Sequence, residues 1–250
     1  MARPYRIGMI VPSSNVTMET EVPAMLNRRQ GIAPEAFTFH SNRMRMLNVT
    51  EEELKRMDAA SDGCTELLAD ARCDVIAYAC LIGIMAQGKG YHKVSEERLS
   101  RVAADTGGPA PVVTSAGALV RGIDALGVKK VALITPYLCE ITDFVIDYMD
   151  SHGITVVDSI SLGVPDNLDV AALDPHELPK YAERLDKREA EAIVLSTCVQ
   201  MPSLPVIQEV EDRYALPVLS AAVATVHDIL KSLSLEPAVP QAGRLLSPPG

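Results

Sequence analysis

The chain has 250 residues, of which 48% are hydrophobic and 22% charged, a composition typical of a soluble globular protein with one large or two ordinary domains. A formal net charge of −10 argues against nucleic acid or an anionic membrane as a partner, and no apolar run approaches transmembrane length. The N-terminus has no signal-peptide pattern, so we expect a cytoplasmic protein.

The first half of the chain alternates between strand and helix patterns. Strands are predicted at 6–11, 36–45, 73–79 and 111–114, and helices at 17–27, 50–71, 95–106 and 116–126. Thr50 is the predicted N-cap of the second helix, with Glu53 at the capping-box position. A glycine-rich loop is expected after the third strand, around Gly83, Gly88 and Gly90.

The second half repeats this alternation. Strands are predicted at 130–135, 154–162, 190–197 and 217–219, and helices at 142–152, 175–186, 203–214 and 221–233. A loop is expected at 165–167, and the proline- and glycine-rich tail at 237–250 has no pattern of its own.

Four landmarks recur in the two halves at nearly constant spacing. They pair Pro12 with Pro136, Asn48 with Asn167, Cys80 with Cys198, and Ser115 with Ser220. The pattern predicts an α/β fold of two similar doubly wound parallel-sheet lobes related by pseudo-two-fold symmetry. The predicted N-terminal lobe spans 1–115, with the chain returning to it at 221–250, and the C-terminal lobe spans 116–220. The active site is expected in the cleft between the lobes.

The chain contains five cysteines: Cys64, Cys73, Cys80, Cys139 and Cys198. The odd number and the lack of metal-type spacing indicate free thiols in a reducing compartment. Cys80 and Cys198 each follow an apolar run that reads as a buried parallel strand, where ligands bind beyond the carboxyl end. The alternative for each is a small buried hydrophobic residue.

Two thiols that face one cleft suit three chemistries. One thiol can remove a proton while the other supplies one, as in stereoinversion beside a carboxylate. A thiolate can add reversibly to an activated alkene, or the pair can form a redox disulfide, for which the usual C-x-x-C spacing is absent. A helix start after each cysteine would lower the thiol pKa from about 8.5.

Three neutral polar residues are candidates for binding a carboxylate. Asn15 lies in a tight strand-to-helix turn, Tyr137 lies at the matching turn of the second half, and Asn167 follows a proline. Each could instead be a turn or capping residue. His92 lies nearest a cysteine motif, but a solvated or structural histidine is the better interpretation.

Five segments together resemble the maleate cis–trans isomerases of the aspartate/glutamate racemase superfamily. They are IVPSSN at 10–15, YAC at 78–80, TPY at 135–137, PDN at 165–167 and STCVQMPS at 196–203. The resemblance covers nearly the whole chain. It implies cofactor-free isomerisation of maleate, a small dicarboxylate, to fumarate in nicotinate degradation, by a protein that is a homodimer.

The resemblance also implies residue roles. Cys80 would add to the alkene as a thiolate and form a succinyl-cysteine, while Cys198 would act as the acid. Asn15, Tyr137 and Asn167 would bind the carboxylates. The backbone of four further residues would complete the pocket: Leu81, Ile82, Val199 and Gln200. We therefore expect iodoacetamide to alkylate Cys80 before Cys64, Cys73 and Cys139.

Related activities remain as alternatives. A two-cysteine amino-acid or hydantoin racemase shares the superfamily and both thiols. Arylmalonate decarboxylases keep only the second-half cysteine, so Cys80 argues against that activity. From another class, a two-lobed metabolite sensor would bind a ligand without turnover and would need no reactive thiol.

Overall fold

The structure is a computed structural model that describes residues 3–46 and 51–248. The predicted N-cap Thr50 and the landmark Asn48 lie outside the described residues, so both expectations stay predictions. Within the described ranges, no helix combines the length and the apolar character needed to cross a membrane.

The first lobe is built on a four-stranded parallel sheet in the order β2-β1-β3-β4. Its strands are β1 (Tyr5–Pro12), β2 (Phe37–Met44), β3 (Val75–Tyr78) and β4 (Val112–Thr114). Its helices are α1 (Met18–Arg29), α2 (Glu51–Asp70), α3 (Leu81–Met85), α4 (Tyr91–Asp105) and α5 (Ser115–Ala125).

The second lobe repeats this plan with the order β6-β5-β7-β8, again parallel throughout. Its strands are β5 (Lys130–Thr135), β6 (Thr155–Ser161), β7 (Ala192–Ser196) and β8 (Val218–Ser220). Its helices are α6 (Cys139–Asp150), α7 (Asn167–Ala171), α8 (Leu178–Arg184) and α9 (Ile207–Tyr214), and helix α10 (Ala221–Ser232) follows β8 along the chain. Short 3₁₀ turns cover Pro175–Glu177, Leu204–Val206 and Arg244–Leu246. The matching strand orders confirm the predicted two-lobed α/β fold.

Hydrophobic burial explains why these segments form central strands. Every residue of β3 and β7 is buried, as expected for parallel strands covered by helices on both faces. Helix α10 packs against α5 and also contacts α1 and β4. These contacts support our proposal that the chain returns to the first lobe at 221–250; the lobe boundaries themselves stay a proposal.

The structure corrects the sequence prediction at two predicted loops. The glycine-rich loop after β3 contains helix α3, because the Cys80 side chain caps its first turn by accepting a hydrogen bond from the Gly83 N–H group. The predicted loop at 165–167 leads directly into α7, whose N-cap is Asp166. Helix α4 also begins at Tyr91, four residues before the predicted start, after Gly90 turns the chain with φ of 72°.

The side chain of His92 on α4 is a structural contact between the lobes. It is 1% exposed, and its Nδ1 lies 2.5 Å from the hydroxyl of Tyr148 on α6. Burial lowers the pKa of His92 from 6.5 to about 4. A neutral imidazole therefore accepts the tyrosine hydrogen bond, and protonation removes that acceptor.

We expect this buried histidine to weaken the fold in acid. Below pH 6.5 the unfolded chain binds a proton at His92 that the folded chain does not, so stability present above pH 6.5 is lost as pH falls toward 4. The loss should reach roughly 3 kcal/mol. Urea unfolding between pH 7 and 4 measures it. His92→Asn should flatten this part of the profile, whereas the exposed control His176→Asn should leave it unchanged.

Candidate active site

One cavity lies where the carboxyl ends of the two sheets meet. Pro12 ends β1 and Cys80 follows β3, while Tyr137 and Cys198 follow β5 and β7. The cavity is narrow, with a volume of about 20 Å³, room for roughly one water molecule. The lining residues are Pro12, Asn15, Met46, Cys80, Leu81, Ile82, Tyr137, Asn167, Cys198, Val199 and Gln200. The structure thus brings all nine predicted site residues together; their roles stay proposals.

Cys80 lies at the start of α3 with 7% of its surface exposed. Its Sγ accepts a hydrogen bond of 3.3 Å from the backbone N–H group of Gly83. Burial nevertheless raises the pKa of this thiol to about 12, and the neighbouring Cys198 and Asp58 raise it further. Desolvation thus outweighs the one backbone donor, and the pKa of Cys80 shifts in the direction opposite to that expected from a helix start after it.

Position 83 accommodates only glycine because neighbouring side chains fill the space beside its Cα atom. A Cβ atom there would lie 2.6 Å from the Cε of Met57 and 2.9 Å from the Sγ of Cys80. We expect Gly83→Ala to displace the thiol and lower kcat about a hundredfold, since a misplacement of about 1 Å has this effect. Steady-state kinetics measure the change. Gly63→Ala on α2, where a Cβ meets nothing within 4 Å, is the matched control and should remain fully active.

Cys198 is held differently from Cys80. A turn follows it, closed by a hydrogen bond from the Met201 N–H group to the Cys198 carbonyl. Helical structure begins with the 3₁₀ turn Leu204–Val206, close to the predicted start at residue 203. Burial raises the pKa of the Cys198 thiol, and hydrogen bonds from the Tyr137 hydroxyl and the N–H groups of Gln200 and Met201 oppose that rise. A negative charge on Cys198 therefore has three donors.

The buried hydroxyl of Tyr137 is a hydrogen-bond donor in the cavity. Tyr137 is 6% exposed, and burial raises its pKa well above the ordinary value. Its hydroxyl hydrogen-bonds to Cys198.

Asn15 both binds the first N–H group of a helix and lines the cavity. Its Oδ1 accepts a hydrogen bond of 3.1 Å from the Met18 N–H group at the start of α1. The carboxylate-binding role of Asn15 stays a proposal beside this local contact. Because Oδ1 is occupied and, among the described residues, Nδ2 has no partner, Asn15 has a free donor for a ligand.

Asn167 is the first residue of α7, and the cap is its neighbour Asp166, whose carboxylate accepts from the Leu168 and Asp169 N–H groups. The Asn167 Nδ2 donates to Ser14 Oγ at 2.7 Å, which joins the second lobe to the turn before α1. One Nδ2 hydrogen remains for a ligand.

The remaining lining residues are mainly apolar. Leu81, Ile82 and Val199 are at most 4% exposed, and each follows one of the two cysteine positions closely. Met46 was missed from the sequence, since an apolar residue in a loop gives no signal. Its backbone N–H group donates to Ser13 Oγ at 3.1 Å, which holds it over the cavity.

The structure also reverses the expected order of thiol alkylation. Cys139 is exposed, whereas Cys64, Cys73, Cys80 and Cys198 are all buried. An added alkylating reagent therefore meets Cys139 first.

Comparisons with known proteins agree with this geometry. A model of the arylmalonate decarboxylase family matches residues 7–246. The chain is also 60% identical over 248 residues to a maleate isomerase of Geobacillus stearothermophilus, and the match covers 99% of each chain. The chain belongs to the arylmalonate decarboxylase family and, within it, to the maleate isomerases.

Solved maleate isomerases share the whole fold. A Cys-to-Ala variant of the enzyme Iso from Pseudomonas putida S16, crystallised with maleate, is 52% identical, with a TM-score of 0.97 and 98% of both chains covered. A Cys-to-Ser mutant of the Nocardia farcinica enzyme with a covalently bound succinylcysteine intermediate is 45% identical, with a TM-score of 0.94 and 98% of both chains covered. Since serine has no thiol, the succinyl group there is on a cysteine other than the replaced one.

Proposed function

We propose that this chain isomerises maleate to fumarate without a cofactor, through a covalent succinyl-cysteine intermediate. The observation that carries the proposal is the pair of buried cysteines at equivalent strand ends of the two lobes, which line one small cavity. The similarity to maleate isomerases and the succinylcysteine in the Nocardia enzyme support it.

The proposed reaction begins with addition. The Cys80 thiolate forms a C–S bond to one alkene carbon, and the electron pair of the double bond moves to the neighbouring carbon. Cys198 gives its thiol proton to that carbon, which leaves a single C–C bond that can rotate. The Cys198 thiolate then removes a proton, the double bond re-forms in the trans geometry, and Cys80 leaves as a thiolate.

This sequence requires that the cysteine pair has lost one proton before addition. The singly ionised pair places its charge more favourably on Cys198, which has three hydrogen-bond donors, than on Cys80, which has the Gly83 N–H group alone. Transfer of the Cys80 proton to Cys198 then produces both reactants, a thiolate nucleophile and a thiol acid. The rate constant kcat/KM accordingly increases with pH above neutrality.

Neutral donors hold the dicarboxylate in this proposal. The amide groups of Asn15 and Asn167 donate hydrogen bonds to carboxylate oxygens, together with the backbone around Leu81, Ile82, Val199 and Gln200. The single hydroxyl hydrogen of Tyr137 is on Cys198 while that group is a thiolate, and it turns to a carboxylate oxygen once Cys198 is protonated. Neutral donors bind the anion without a fixed cation that would lock both thiols in the charged form.

The resemblance of the sequence supports three further proposals. The reaction serves nicotinate degradation, where it converts the cis acid into fumarate. The protein acts in the cytoplasm and assembles as a homodimer.

The decisive experiment is incubation of the purified protein with maleate, followed by proton NMR of the alkene region. The fumarate signal should grow at the expense of maleate without any added cofactor. Parallel samples with D-aspartate, L-aspartate and a 5-substituted hydantoin in D₂O test the racemase alternative. Exchange of an α-proton in those samples, with maleate unchanged, would overturn the proposal in favour of a racemase. Binding without any conversion would favour a sensor.

A further inference from the structure

The side chain of Gln200 is buried and joins the two lobes. It is 1% exposed. Its Oε1 accepts hydrogen bonds from the backbone N–H groups of Val16 and Thr17, at 2.9 and 3.3 Å. Its Nε2 donates to the carbonyl groups of Ser14 and Asn167, at 2.8 and 2.9 Å. A glutamine amide has two donor hydrogens and two acceptor lone pairs, so this group has no capacity left for a ligand.

The partners of this amide surround both candidate asparagines. Ser14 and Val16 are the chain neighbours of Asn15, and the fourth partner is the backbone of Asn167 itself. The bond from Asn167 Nδ2 to Ser14 Oγ ties the same two segments together a second time. One amide of the second lobe therefore fixes the positions of two residues that come from different lobes.

We infer that Gln200 is a positioning residue. Its side chain holds Asn15 and Asn167 so that together they form one binding site for a single carboxylate of the substrate. The inference rests on the proposed function for the identity of that substrate. The asparagines each have a free Nδ2 hydrogen, line the same cavity and are linked through Ser14, and two amide donors match the two oxygens of a carboxylate. The Gln200 side chain itself touches no reacting atom.

The structure provides a matched control in Glu21. This buried carboxylate on α1 accepts hydrogen bonds from the N–H groups of Ser203 and Leu204, at 2.6 and 2.7 Å. It therefore joins the same two lobes through backbone groups, but its partners lie outside the cavity lining. Loss of Glu21 weakens the junction between the lobes without disturbing either asparagine.

The test compares binding of succinate and propionate by isothermal titration calorimetry. Neither ligand has a carbon–carbon double bond, so the measured binding does not depend on turnover. In Gln200→Met, which keeps the length and removes all four hydrogen bonds, the Kd of succinate should rise at least about tenfold. Propionate needs one carboxylate site and can use the other end of the cavity. Its Kd should therefore change by less than about twofold. Gln200→Glu keeps the acceptor oxygen and loses both donor hydrogens, so it should also raise the Kd of succinate more than the Kd of propionate.

Glu21→Ala should lower the thermal midpoint of unfolding and leave the ratio of the two Kd values unchanged. The inference is overturned if a folded Gln200 variant binds succinate like the unmodified protein, if both ligands weaken equally, or if neither Gln200 variant folds. A failure of the unmodified protein to convert maleate would count against the proposed function alone, because succinate binding is measured separately.

Discussion

Cys80→Ser should lower the turnover of maleate at least about a thousandfold, because a serine hydroxyl without a general base is a poor nucleophile. The substitution removes the proposed attacking atom and keeps a group of similar size that can still cap α3. Fumarate formation measured by NMR gives the rate. Cys64→Ser replaces a buried thiol outside the cavity lining and should keep normal turnover.

Variants of Cys198 separate addition from release. Cys198→Ser keeps a weaker acid and should retain some activity, whereas Cys198→Ala should accumulate a maleate adduct on Cys80. Peptide mass spectrometry after acid quenching locates the adduct. An adduct on Cys198 in a Cys80→Ala protein, or full activity of that protein, would show that the two roles are reversed or shared.

A second large loss of activity is expected when Asn15 or Asn167 is replaced. Asn15→Ala and Asn167→Ala should each lower kcat/KM about a hundredfold, since a hydrogen bond to a charged group contributes about 1.5–3 kcal/mol. The free energy of unfolding should fall by only about 1 kcal/mol, the usual effect of a lost cap or a single hydrogen bond. Kinetics and urea unfolding on the same preparations measure both quantities.

The exposed Asn27→Ala on α1 is the control and should change neither quantity appreciably. The outcome against a carboxylate role is a variant at Asn15 that loses several kcal/mol of stability but turns over normally once folded. In that case the bond from Met18 to Asn15 Oδ1 would be its whole contribution.

The strands and the placement of the cysteines could be predicted because burial leaves a strong pattern. The runs before Cys80 and Cys198 are apolar on both faces, and the structure buries every residue of β3 and β7. Helix α3 could not be predicted, because its segment is short and glycine-rich and its cap is a cysteine thiol, a weak acceptor outside the usual capping residues.

The roles of Gln200 and Met46 depended on contacts between distant parts of the chain. The partners of the Gln200 side chain on the Ser14–Thr17 turn are more than 180 residues away, and no local pattern indicates them. The pKa of the Cys80 thiol could not be predicted for a similar reason. A position before a helix start lowers a thiol pKa, but the extent of burial, which decides the balance here, arises only when both lobes close over the site.

The exposed Cys139 affects how preparations of this protein behave in air. It lies at the first position of α6, next to the exposed Leu138, and is accessible in the single chain. Oxidation can link this thiol in two molecules and give a covalent pair on a non-reducing gel, whatever the natural assembly is. The same thiol takes up the first equivalent of any fluorescent maleimide. A Cys139→Ser background therefore separates true self-association from crosslinking. It leaves four buried thiols, of which Cys80 and Cys198 line the cavity and are the targets of mechanism-based labels.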